Sequence, residues 1–166
     1  DYHTVVTSRA IKVTLENREG TTAIIRADDN VMPHIKIENK DGVLKIKIGD
    51  EIRTINSMTA EVRLPKSTNI SRLEATSASH IDVDYTIQSA KLYAEASSAA
   101  DINISKADVT NCIIDASSAA KITGSIKATE CNINATSAAN AKVQILANTC
   151  YADASSAADI TLAGEA

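Results

Sequence analysis

Five copies of one small-residue segment constrain this chain more than anything else in it. Ala75–Ile81 (ATSASHI), Ala96–Ile102 (ASSAADI), Ala116–Ile122 (ASSAAKI), Ala135–Ala141 (ATSAANA) and Ala154–Ile160 (ASSAADI) align without gaps, and their starts are spaced by 21, 20, 19 and 19 residues. Units this short cannot hold a helical hairpin, and self-similarity at a fixed period marks a stacked repeat.

The residues flanking each copy alternate in character. Two positions before the first Ala stand Leu73, Ala94, Ile114, Ile133 and Ala152; four before stand Ser71, Leu92, Cys112, Cys131 and Cys150. Six after come Ile81, Ile102, Ile122, Ala141 and Ile160, and eight after come Val83, Ile104, Gly124, Val143 and Leu162. The columns between them are polar: Glu74, Glu95, Asp115, Asn134 and Asp153 on one stretch, and Asp82, Asn103, Thr123, Lys142 and Thr161 on the next. Alternation at an interval of two means strands with one buried face.

Equivalent residues keep the same flanks and the same chain direction, so the units stack in parallel. The expected fold is all-β: a right-handed parallel β-helix of 19–21 residues per coil, with coils ~4.8 Å apart and the hand set by the preference of parallel crossovers. Sharp bends at the Ala/Ser/Thr corners favour side chains small enough to stack coil upon coil. Corner hydroxyls can also serve backbone groups at the bend. With no Trp, no Phe and only four Tyr, the interior must be filled by Ala, Ile, Val and Leu.

Residues 1–70 are read as a strand-rich N-terminal cap with the first irregular coils. Residues 71–166 are read as the regular β-helix, continuous with the cap as one domain. Strands are expected at Ala10–Leu15, Thr22–Arg26, His34–Glu38, Leu44–Ile48 and Thr59–Leu64, with a hairpin turn at Asn39-Lys-Asp-Gly42. The last full repeat runs straight into Gly164-Glu165-Ala166 without capping residues, which leaves that end to trimmed residues or to another molecule.

The net charge is −4, distributed as 12 basic and 10 acidic residues over 1–72 but 5 and 11 over 73–166. A chain of this balance lacks the cationic face a general nucleic-acid binder needs. No apolar run is long enough for a transmembrane segment. Asp1 is not a natural start residue, so an export signal or lipid anchor is expected to have been removed.

The chain resembles the bacterial family described as putative auto-transporter adhesin, head GIN domain. The resemblance is carried by Ala10–Leu15, Gly42–Ile46, Glu61–Pro65 (EVRLP) and the corners from Ala75 to Ile160. It implies a right-handed β-helix, and export to the periplasm, the outer membrane or the cell surface. It supplies no catalytic residues. Family members often place glycine at the corners, where this chain has Ala, Ser and Thr.

The candidate binding residues are the polar column Glu74, Glu95, Asp115, Asn134 and Asp153, together with Tyr93 and Tyr151 beside it. Stacking holds column members ~5 Å apart. Like charges at that spacing raise some carboxylate pKa values unless cations or neighbours compensate. Such a ladder suits a divalent cation or a glycan, and the tyrosines suit a sugar ring. The plainer account is a solvated face that keeps a regular sheet soluble.

Catalysis is not expected. Acid and nucleophile need different environments, and a repeated column gives all members nearly the same one. Cys112, Cys131 and Cys150 form a file of small interior hydrophobes whose parallel side chains suit neither a disulfide nor zinc. His3, His34 and His80 are scattered, with His80 an exposed corner residue. No metal and no cofactor is expected. The expected function is a secreted or surface adhesive or structural module presenting a polar face to a glycan or protein. A carbohydrate-active enzyme, or a degenerate polysaccharide-binding relative of one, is the alternative; a homo-oligomer through the C-terminal coil is a third.

Overall fold

The corners show why the repeat is written in small residues. In each copy two consecutive residues take positive φ: Ser77 and Ala78 (55° and 61°), Ser98 and Ala99 (53° and 63°), Ser118 and Ala119 (52° and 64°), Ser137 and Ala138 (55° and 64°), Ser156 and Ala157 (54° and 65°). The residue after each pair donates its N–H three positions back, as Ala100 does to the Ser97 carbonyl at 3.2 Å. Paired positive φ with that bond is a type I′ turn, usually the territory of Asn and Gly. A non-glycine residue there costs roughly 1–2 kcal/mol. Stacking offsets it: the Ala99 N–H donates to the Ser118 carbonyl at 3.0 Å, and Ala78, Ala119 and Ala138 make the same bond one coil on. The interstrand ladder therefore runs through the bend without a gap.

The computed structural model describes residues 2–49 and 60–165. The strands are β1 (Thr4–Thr7), β2 (Lys12–Leu15), β3 (Ile24–Ala27), β4 (Ile35–Lys40), β5 (Val43–Ile48), β6 (Ala60–Leu64), β7 (Arg72–Ala75), β8 (His80–Ala96), β9 (Asp101–Ala116), β10 (Lys121–Ala135), β11 (Asn140–Ala154) and β12 (Asp159–Glu165), with one short 3-10 turn at Met32–His34. From β7 to β12 every neighbouring pair is parallel. The result is a solenoid of stacked coils with about five turns.

Register follows the sequence columns. Leu92 lies beside Cys112, Cys112 beside Cys131, and Cys131 beside Cys150. Each coil carries three inward runs. In β9 they are Ile102 and Ile104, then Ala107 and Val109, then Cys112, Ile114 and Ala116, all buried. Two adjacent outward residues separate the runs, Ser105-Lys106 and Thr110-Asn111. We call the strand stretch before the corner the first face, the stretch after it the second, and the Ala107 stretch the third. The corner columns Ala75, Ala96, Ala116, Ala135 and Ser79, Ala100, Ala120, Ala139 are buried at the narrow tip of the core. Of the corner hydroxyls, that of Ser79 serves the backbone, donating to the Thr76 carbonyl at 2.7 Å.

The uneven spacing of the repeats has a local cause. Between β8 and β9 the register shifts, Val83 to Thr86 spanning what Ile104 to Lys106 spans with one residue fewer. Between β9 and β10 it shifts again: Ile104 to Ala107 faces Gly124 to Ile126. Bulges at one edge thus absorb the drop from 21 to 20 to 19 residues, leaving the rest of the stack in register.

The repeat begins earlier than the five copies indicate. β1 pairs in parallel with β7, and β2 with β8, with Thr7 beside Ala75 and Val13 beside Ile81. Between them Arg9 and Ala10 take φ of 53° and 61°, and the Ala10 N–H donates to the Ser77 carbonyl at 2.9 Å. Thr7–Val13 is therefore a further corner. Reading residues 1–70 as lacking the repeat misses it because Arg9 and Ile11 stand where later coils have Ser and Ala.

The chain then leaves the stack and returns at β7. β5 adds to β1 and β6 adds to β2, both in parallel, but β4 on β5 and β3 on β6 are antiparallel. On both faces the N-terminal edge thus reverses direction. Asp41 and Gly42, with φ of 54° and 82°, make the hairpin turn expected at residues 39–42. The returning chain is pinned by tyrosines: the Tyr2 hydroxyl donates to the Pro65 carbonyl at 2.6 Å, and the Ser67 N–H donates to Tyr85 Oη at 3.2 Å. The expected strands all have counterparts, with bounds shifted by one or two residues at several ends; Thr59 lies outside the described residues.

Candidate functional site

β7 and the final stretches of β8, β9, β10 and β11 form the first face, and their outward side chains make its surface. Glu74, Glu95, Asp115, Asn134 and Asp153 lie side by side on successive rungs, as the spacing predicts. At ~4.8 Å per rung they form one straight row.

The head of this row is not a run of bare carboxylates. The Arg72 Nε donates to Glu74 Oε2 at 3.2 Å, and its Nη2 reaches Glu95 Oε2 at 3.4 Å. The same guanidinium stacks over the Tyr93 ring, 4.6 Å from its centroid. Glu95 still titrates above the usual glutamate range. Partial burial contributes most, the Glu74 charge next, with the pull of Arg72 opposing them and Asp115 adding to the rise. Burial, followed by the Glu95 and Asp115 charges, pushes the Tyr93 hydroxyl up as well. Arg72 was missed in the sequence. Its signal was there, since it stands one residue before the first inward position of β7 and directly beside Tyr93.

The two tyrosines do not meet. They occupy one outward column that reads Arg72, Tyr93, Ile113, Asn132, Tyr151, so three rungs, or about 14 Å, separate them. Tyr93 is half-buried under Arg72, whereas Tyr151 is 58% exposed.

The cysteines are free; Cys112 and Cys131 are buried and Cys150 is half-buried. A hydrogen bond with Cys131, then burial, pushes the Cys112 thiol up; burial does the same to Cys150. His80 begins β8 rather than sitting in the corner, and its Nδ1 lies 3.2 Å from Asp101 Oδ2 on the next coil. Among the described residues no group of three or more His, Cys, Asp or Glu side chains is placed to hold a metal ion, and no helix is long and apolar enough to cross a membrane.

This architecture is shared with solved structures. A putative adhesin from Parabacteroides merdae ATCC 43184 matches with a TM-score of 0.59 at 14% identity, over 99% of this chain and 89% of that one. A putative adhesin from Bacteroides fragilis NCTC 9343 gives 0.56 at 12% identity over 98% and 92%. One from Parabacteroides distasonis ATCC 8503 gives 0.54 at 15% over 99% and 90%. At such identities the likeness is one of fold. No curated protein matches the chain significantly. The family described as "Putative auto-transporter adhesin, head GIN domain" matches it from residue 1 to residue 166, and the chain belongs to that family.

Proposed function

We propose that this chain is an exported, surface-displayed adhesive module that binds a glycan or protein partner through the first face. The observation that carries this reading is the strict register of Glu74, Glu95, Asp115, Asn134 and Asp153 beside Tyr93 and Tyr151. A stiff row of polar groups at one spacing, with Tyr93 on its second rung and Tyr151 on its last, makes many weak contacts at once. Their sum exceeds any single contact when the partner repeats at a compatible interval. Membership of an adhesin-head family supports export and display.

The reading assigns no catalysis. Glu74 and Glu95, the two carboxylates at the head of the row, are both engaged by one guanidinium, and no residue of the row is given a catalytic role. The test is binding of the purified protein to a glycan array, compared with a Glu95→Ala/Asp115→Ala variant. Loss of signal in the variant, with thermal unfolding unchanged, is the expected result. Undiminished binding overturns the assignment to this face.

A further inference from the structure

A second surface, away from the first face, has the opposite electrostatic character. It lies at the edge where the second and third faces meet, beside the bulge that β10 and later coils lack. Here Ile104 to Ala107 is opposed by the shorter Gly124 to Ile126. Gly124 stands in an inward column otherwise filled by Val83, Ile104, Val143 and Leu162. A Cβ there would lie 3.1 Å from the Ile104 carbonyl oxygen, so a side chain at this rung would crowd the neighbouring backbone. Two adjoining depressions of about 390 and 600 Å³ follow this edge and share Ser125, Gln144 and Ala163.

The lining chemistry is selective. Asn103, Thr123, Lys142 and Thr161 follow one another on successive coils, the Thr123 hydroxyl donating to Asn103 Oδ1 at 3.1 Å, and Ser125 and Gln144 add further polar groups. Lys142 opens onto one depression, and Lys106 and Lys127 onto the other. Residues 73–166 contain only five basic side chains against eleven acidic ones, yet three of the five line these two depressions. Glu165 is the one carboxylate among the lining residues. Among the described residues none of the three lysines lies within ion-pair distance of a carboxylate, although Asp108 stands beside Lys127 on the neighbouring strand; Lys12, by contrast, has its Nζ 3.8 Å from Asp82. A concentration of unpaired ammonium groups within an acidic half creates a local positive potential that attracts anions.

We propose that this edge is a binding groove for an anionic polysaccharide. Lys106, Lys127 and Lys142 take its carboxylate or sulfate groups, and the amide and hydroxyl side chains take its sugar hydroxyls. The groove is open and runs across coils at a constant interval, which fits an extended repeating chain better than a compact ligand. Neutral donors and acceptors between the lysines favour a polyhydroxylated anion over an acidic peptide. The assignment stands independently of the first face.

Isothermal titration with an oligogalacturonide, a sulfated dextran oligosaccharide and neutral dextran tests it. The protein is expected to bind at least one of the two anions and not neutral dextran; which anion binds identifies the recognised group. Lys106→Ala/Lys127→Ala/Lys142→Ala is expected to weaken binding about tenfold or more, as loss of charge-assisted contacts should. Lys91→Ala/Lys121→Ala, exposed lysines outside the groove, is expected to stay near the parent affinity. Binding of neither anion, equal binding of neutral dextran, or an equal loss in the Lys91/Lys121 variant overturns the proposal.

Discussion

Arg72 and Glu95 stand 23 residues apart in sequence but face each other across one coil boundary, with Arg72 Nη2 3.4 Å from Glu95 Oε2. This contact restrains a carboxylate that burial and the neighbouring Glu74 drive upward. In an NMR titration Glu95 is expected to have its midpoint above that of an ordinary glutamate, and Arg72→Ala is expected to raise it further. A carboxyl group whose folded pKa is raised adds stability at low pH and loses it as pH climbs through that folded value. Removing Arg72 should therefore deepen the loss of stability between the usual glutamate pKa and the Glu95 midpoint. A Glu95 midpoint unmoved by Arg72→Ala would show that the guanidinium is not its partner in solution.

The corners predict a gain from glycine. Ala99 is exposed and holds φ of 63°, a conformation glycine adopts without Cβ conflict. Relief of the strain, less the extra freedom glycine gives the unfolded chain, leaves an expected stabilisation of about 0.5–1 kcal/mol for Ala99→Gly in urea unfolding. Ser98→Val, which forces a β-branched residue into the same region, should destabilise by at least 1 kcal/mol.

Thr7 offers a second stabilising change. Its Oγ1 is buried without a hydrogen-bond partner among the described residues, at the position where the next coils have Ala75 and Ala96. An unsatisfied buried hydroxyl costs about 1–3 kcal/mol, so the near-isosteric Thr7→Val should raise stability by about 1 kcal/mol. Chemical denaturation checks the sign, and a loss of stability would mean the hydroxyl is satisfied in solution.

The cysteine file should react in order. Cys150 is half-buried, whereas Cys112 and Cys131 are buried. Since thiolate content and access control reactivity, a disulfide reagent under native conditions should modify Cys150 first and slowly, its thiol being held up by burial. The other two should react only upon unfolding. Modification of Cys112 before Cys150 would contradict the stacking order.

Much of this was legible in the sequence because the regular coils repeat nearly residue for residue. Closely similar local chemistry, Ala at each bend and apolar or small residues at each inward position, fixes both period and face. The Cys112–Cys131–Cys150 register and the polar row followed directly. What escaped had no counterpart to align with. The first corner was hidden by Arg9 and Ile11, and its next rung comes 68 residues later, at Ala75 beside Thr7. Arg72 occurs once in its column, so periodicity could not flag it. The separation of Tyr93 and Tyr151 was countable from the spacing, but judging them by column alone concealed the two intervening rungs, Ile113 and Asn132. The lysines of the second edge gather there through a loss of bulge and a glycine, neither of which alternation reveals.

The strand reversals at β3 and β4 give the rod a polarity. A parallel stack templates its next layer only in its own direction, and on both sheets the upstream edge presents the wrong one. Addition of a 19-residue unit is therefore accommodated downstream of this reversed lid, where β9 and β10 already tolerate a change in length, and not ahead of β3 or β4.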